Sequence, residues 1–113
     1  MHEFSVAKSL VENVIHLQNK NSWSKVARVT IVVGKLSGFE TYALESCTEI
    51  IKSELAMSDT NFCFVSEDVL VKCQDCKCET HAEPMLLHCS GCKSQNVEVT
   101  AGQSLIIKSV EIE

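Results

Sequence analysis

The run Val26-Ala27-Arg28-Val29-Thr30-Ile31-Val32-Val33, closed by Gly34, is crowded with β-branched residues, which suit a pleated strand better than a helix. Alternation places Val29, Ile31 and Val33 on one side and Arg28 and Thr30 on the other, so the run reads as a strand with one face for a core. The flanking sequence supplies the cover. Upstream, Phe4, Ala7, Leu10, Val11, Val14 and Ile15 recur at three- and four-residue steps, the spacing of one helical face. Residues 4–17 are therefore expected to form a helix, with Glu3 in a first turn that favours negative charge and Asn19, Asn21 and Ser22 at its end. Downstream, residues 34–38 form a turn, and Tyr42, Leu44, Cys47, Thr48, Ile51 and Leu55 mark a second amphipathic helix.

Residues 62–72 resume strand character, with a slip in alternation at Glu67 and Asp68 that reads as a bulge. Residues 97–100 and 105–112 close the chain as two strands around Ala101 and Gly102. Two helices and three longer strands can share one buried layer, which makes the class α+β. The cysteine-rich stretch lacks the apolar periodicity to join that layer and reads as an insertion. There is no internal repeat beyond the paired cysteine turns, and no low-complexity segment.

A chain of 113 residues suits one core, or a core with a small appendage. Apolar residues make up 45% and charged residues 22%, which is globular rather than disordered composition. No run approaches the roughly 20 apolar residues that cross a bilayer, and no export signal opens the chain, so no membrane partner and a cytoplasmic location are expected. The net charge of -5 offers phosphate no basic footprint, which disfavours nucleic acid.

Seven cysteines, an odd number without an export signal, argue for metal rather than disulfides. Cys73-Gln74-Asp75-Cys76 and Cys89-Ser90-Gly91-Cys92 are two knuckles separated by twelve residues, and each can aim two thiolates at one tetrahedral centre. Zinc is favoured over a ferrous centre with the same ligands. Four protein ligands leave no open position for water, so the site is read as structural, its binding energy folding the local loop. The polar residues inside the knuckles make poor core, which weighs against four free buried cysteines. Cys78 stays outside the ligand set, Cys47 and Cys63 are read as small core residues, and His81 and His88 as solvent-exposed rather than as donors to the thiolates.

The start Met1-His2-Glu3 carries a second set of donors. A bulky second residue is expected to leave Met1 in place, so the α-amine stays next to the histidine. The amine, the amide nitrogen of His2 and its imidazole can close adjacent chelate rings, and the amide of Glu3 can complete a planar nitrogen set. That geometry suits nickel, although nitrogen donors also favour copper, and many chains that begin Met-His simply have a solvated imidazole. The residues alone leave these readings open.

The start Met1-His2-Glu3-Phe4-Ser5, the stretch Val33-Gly34-Lys35-Leu36-Ser37-Gly38-Phe39-Glu40 and the two late knuckles together resemble the HypA family of hydrogenase nickel-insertion factors, over essentially the whole chain. The resemblance implies a mixed three-stranded sheet with two helices and a projecting zinc-ribbon module. It divides the chain into a nickel-binding α+β domain, residues 1–69 together with 102–113, and a zinc-binding domain, residues 70–101. It implies a metallochaperone, not an enzyme, that takes nickel on His2 with Met1 and Glu3 contributing, and carries zinc on Cys73, Cys76, Cys89 and Cys92. The implied partners are a HypB-type GTPase and the hydrogenase large subunit, with urease accessory proteins as further partners, in a monomer or weak homodimer. Glu40 matches an acidic position near the nickel end in some relatives. Ser90 departs from the proline that many relatives carry in the second knuckle, which loosens that turn without losing a ligand. Two rivals remain beside this reading. One is a zinc-ribbon interaction module without nickel delivery. The other, a zinc or redox enzyme, lacks a three-ligand open site or a nucleophile beside an oriented base.

Overall fold

A computed structural model describes residues 2–113. Helix α1 (Glu3–Lys20) buries Ala7, Leu10, Val11 and Val14, the stripe expected from its periodicity, and carries Glu3 in its first turn. Phe4 departs from that expectation: it sits on the flank of the stripe and is 51% exposed. Strand β1 (Val26–Gly34) follows, then helix α2 (Thr41–Glu54), whose buried residues are Leu44, Thr48 and Ile51. Tyr42, read from the sequence as part of that face, points to solvent because residues two apart lie on opposite sides of a helix. The expectation for Cys47 holds, since it packs half-buried against the core.

Strand β2 (Asn61–Glu67) runs parallel to β1, as a crossover through α2 requires, and β6 (Leu105–Ile112) runs antiparallel on the other side of β1. The first sheet therefore has the order β2-β1-β6 and is mixed. Its rows Phe62–Val29–Val110 and Phe64–Ile31–Ile107 face the helices. One core gathers around them, and Thr60 is stitched into it by a hydroxyl that donates to Val26 O at 2.8 Å.

The stretch read as one strand over residues 62–72 is two strands in two sheets. Strand β2 ends at Glu67, and β3 (Val69–Cys73) begins a second sheet after Asp68. The slip in alternation records this exit rather than a bulge. The buried positions change from even, at Phe62, to odd, at Val69, Val71 and Cys73. In the second sheet β3 is central, flanked by antiparallel strands β4 (Glu79–Ala82) and β5 (Val97–Ala101). Strand β4 is not visible in the sequence periodicity, because it is four residues long and half-buried at best.

The crossing between the sheets is tight. Gly34 N donates to Ser104 O and Leu36 N to Gly102 O, both at 2.8 Å, while Glu67 O accepts from Lys35 N and its carboxylate from Gly102 N, both at 3.0 Å. Lys35 and Asp68 pair at 2.6 Å, which holds the Asp68 carboxyl below its usual range and raises the Lys35 ammonium. Gly102 has φ +92°, where a side chain would be strained, and a Cβ there would stand 2.7 Å from Asp68 O. Placed in succession, the two sheets give a radius of gyration of 17.1 Å, against about 13 Å for one compact domain of this length.

Candidate metal centres

The second sheet buries little of its own: Val69, Val71, Cys73 and Cys89 are its buried apolar residues among those described, and none belongs to the main core. A unit this poor in burial needs another source of folding energy, and its thiols can provide one by binding a metal. Cys73 ends β3 and Cys76 follows in the turn after it, while Cys89 and Cys92 lie in the loop before β5. The four sulfurs all lie within 4.8 Å of one another. Cys73 Sγ stands 3.6 Å from Cys92 Sγ, and Cys76 Sγ stands 3.6 Å from Cys89 Sγ. Four thiolates bonded to one zinc ion at about 2.3 Å would stand ~3.8 Å apart, so the two 3.6 Å separations suit that ion.

The knuckles repeat each other bond for bond. Cys76 N points at Cys73 Sγ at 3.4 Å and Cys92 N at Cys89 Sγ at 3.5 Å. Lys77 N donates to Cys73 O at 3.0 Å and Lys93 N to Cys89 O at 2.9 Å. Cys73 N donates to Cys78 O at 2.9 Å and Cys89 N to Ser94 O at 2.8 Å. Lys77 and Lys93 both take φ 67°, the left-handed conformation that turns each knuckle back on itself. Thus Cys78 serves through its carbonyl while its exposed side chain stays outside the cluster, as the sequence reading has it.

Electrostatics divide the thiols into two kinds. The Cys92 N–H, helped by that of Gly91, holds the Cys89 thiol down to about 6, and the Cys76 N–H lowers Cys73 in the same way. At Cys76 the Cys78 N–H favours the thiolate, but the Cys89 sulfur and desolvation outweigh it and push the thiol up to about 12. Cys92 is also raised: the Ser94 N–H favours its thiolate, and the Cys73 sulfur with desolvation prevails. Four adjacent negative sulfurs repel one another, and a dication in their midst removes the conflict.

Sequence reasoning missed the clamp between the knuckles. The Asp75 carboxylate accepts from the Ser94 hydroxyl and, at 3.3 Å, from the Asn96 amide, and both bonds hold its carboxyl below the usual range. Gln74 N donates to Asn96 O at 2.9 Å. A polar trio spaced across two knuckles gives no periodic signal, and only the fold brings it together. His81 is exposed on β4, and His88 lies with Nδ1 3.3 Å from Leu86 O; neither is among the clustered donors.

At the other end, His2 precedes α1 with φ 33°, and its exposed side chain makes no capping hydrogen bond. The Glu3 carboxylate accepts from Glu40 N at 3.2 Å, and the Glu40 carboxylate caps α2 by accepting from Tyr42 N at 3.3 Å. The starts of both helices therefore meet, and Glu40 lies beside the first residues of the chain. Met1 lies outside the described residues. His2 and Glu3 are not part of the cysteine group.

The chain is similar over its whole length to known proteins. The family model for hydrogenase/urease nickel incorporation, metallochaperone, HypA, matches residues 1–112. The hydrogenase maturation factor HypA of Aquifex aeolicus (strain VF5) is 32% identical over 113 residues, covering 100% of this chain and 98% of the relative. That of Shewanella halifaxensis (strain HAW-EB4) is 31% identical over 113 residues with the same coverage, 100% and 98%. The solution structure of the Ni metallochaperone HypA from Helicobacter pylori superposes with a TM-score of 0.68 at 30% identity, covering 99% of this chain and 97% of that one. A second solution structure of HypA protein gives a TM-score of 0.72 at 30% identity, covering 100% and 97%. With its sheets, helices and four-cysteine cluster matched along the whole length, the chain belongs to the HypA family of nickel-incorporation metallochaperones.

Proposed function

We propose that this protein is a cytoplasmic carrier that takes one nickel ion at its N-terminus and hands it, with a HypB-type GTPase, to the hydrogenase large subunit. Urease accessory proteins are further partners in this reading. The nickel ligands are the Met1 amine, the amide and imidazole nitrogens of His2, and the amide of Glu3, held by the α+β domain of residues 1–69 and 102–113. Zinc sits on Cys73, Cys76, Cys89 and Cys92 in the domain of residues 70–101, where it supplies folding energy and no open coordination position. The observation that carries the reading is an exposed His2 imidazole, uncommitted to capping α1, in a chain whose family match begins at residue 1.

A planar nitrogen set leaves both axial faces open, so an incoming thiolate or imidazole can enter before the outgoing ligands leave. Transfer is ligand exchange rather than catalysis. Because the metal must displace amide protons, nickel affinity falls at low pH. The test is a nickel titration of untagged protein beside the His2→Ala variant and a protein with its α-amine acetylated. Both changes are expected to abolish one-to-one binding and the weak visible absorption of planar nickel, with far-UV circular dichroism unchanged. Binding that persists in either form would remove the proposed site.

A further inference from the structure

Strand β6 is an edge of the first sheet, pairing only with β1 among the described residues. Ser104 O accepts from Gly34 N, so strand alternation turns the N–H and C=O groups of Leu105 and Ile107 away from β1, toward the open edge. Alongside lies a groove of ≈ 480 Å³ between this edge and α1. Val6, Leu10, Leu105 and Ile107 line it with apolar surface, while Ser5, Ser9 and Asn13, four residues apart, form its rim on the helix. Every described lining residue is uncharged, in a chain of net charge -5. His2 precedes Ser5 by three residues, so the helical rim of the groove begins close to the end that carries the imidazole.

We infer that this groove docks an extended, uncharged segment of the nickel-receiving protein, which adds to β6 as a fourth strand and tucks alternate apolar side chains under α1. The inference rests on the nickel-delivery reading above. Three features select this occupant. A row of outward backbone donors and acceptors is matched by another extended backbone. A lining without charge penalises an acidic or basic side chain, which would lose its hydration unpaired. The position brings the receiving protein to His2. A second copy of this chain fits less well. Thr30 pairs with Ser109 and Ile31 with Ile107, so Lys108 is an extra residue that interrupts the edge, and bulged, charged edges resist strand-to-strand pairing of copies.

The test uses the zinc-loaded full chain, with the metal-free hydrogenase large subunit of the same organism and short overlapping peptides covering it as probes. Ser9→Trp fills the groove from an exposed helix position, and Leu105→Pro deletes an outward donor without removing a ladder bond. Each variant is expected to bind the subunit roughly 30-fold more weakly or worse, the loss typical of a central contact, with nickel stoichiometry intact. A peptide that binds should shift the Leu105 and Ile107 amide resonances. If Leu105→Pro fails to fold, Ser9→Trp decides alone. Wild-type affinity in Ser9→Trp would overturn the inference, as would self-association abolished by Ser9→Trp with no change in subunit binding. A parallel nickel titration separates the two readings: subunit docking lost with Ser9→Trp while nickel never binds at the N-terminus leaves the groove standing and removes the delivery role.

Discussion

Two glycines, one in each half of the molecule, should respond to the same mutation in opposite ways. A Cβ at Gly34 would stand 2.3 Å from Gly102 O, 2.4 Å from Gly102 C and 2.9 Å from Gln103 N, all backbone atoms that cannot swing aside. The first of these is more than an ångström short of the 3.4 Å at which ordinary contact begins. The 102–104 segment must therefore move away from β1, breaking the Gly34 N–Ser104 O and Leu36 N–Gly102 O bonds. Two hydrogen bonds at about 1 kcal/mol each, with about 1–3 kcal/mol for overpacking, put the cost of Gly34→Ala at about 3–5 kcal/mol. That is a large share of a typical stability of about 5–15 kcal/mol. At Gly91 the added methyl meets only Cys89 Sγ, at 3.6 Å, and no left-handed backbone opposes it. Gly91→Ala should thus be neutral to stabilising by up to about 1 kcal/mol. Urea unfolding of the zinc-loaded proteins, followed by circular dichroism, measures both. A Gly34→Ala loss below about 1 kcal/mol would refute the account of the crossing as a rigid backbone contact.

Other perturbations probe separate links. Thr48 is 1% exposed on α2, and its hydroxyl has no hydrogen-bond partner among the described residues; Thr48→Val should raise stability by about 1 kcal/mol, and a lower melting temperature would contradict this. Asp75→Ala removes the clamp on Ser94 and Asn96 and should weaken zinc binding by about 10–100-fold in a chelator competition, whereas unchanged affinity would leave the clamp without a role. Zinc binding near neutral pH should expel the protons that Cys76 and Cys92 retain, detected by calorimetry in buffers of different ionisation enthalpy; a buffer-independent heat would count against the thiol assignments.

The sequence by itself determined what depends on local spacing. The 3.6-residue period of α1 and α2, the alternation of β1 and the two Cys-x-x-Cys turns each report a geometry that a few neighbouring residues impose. The family was legible too, because the first five residues, the stretch 33–40 and the two cysteine knuckles are particular residues at particular positions. What the tertiary structure alone decided is which strands pair. Glu67 and Val69 are two residues apart and belong to different sheets, as do Ala101 and Leu105. Side-chain period records which face is buried, but strands are joined by N–H and C=O groups that nearly every residue carries alike, so pairing leaves little mark in residue types. For the same reason the Asp75–Asn96 clamp, the Gly34–Gly102 contact and the open edge at Leu105 and Ile107 emerge only when distant segments meet.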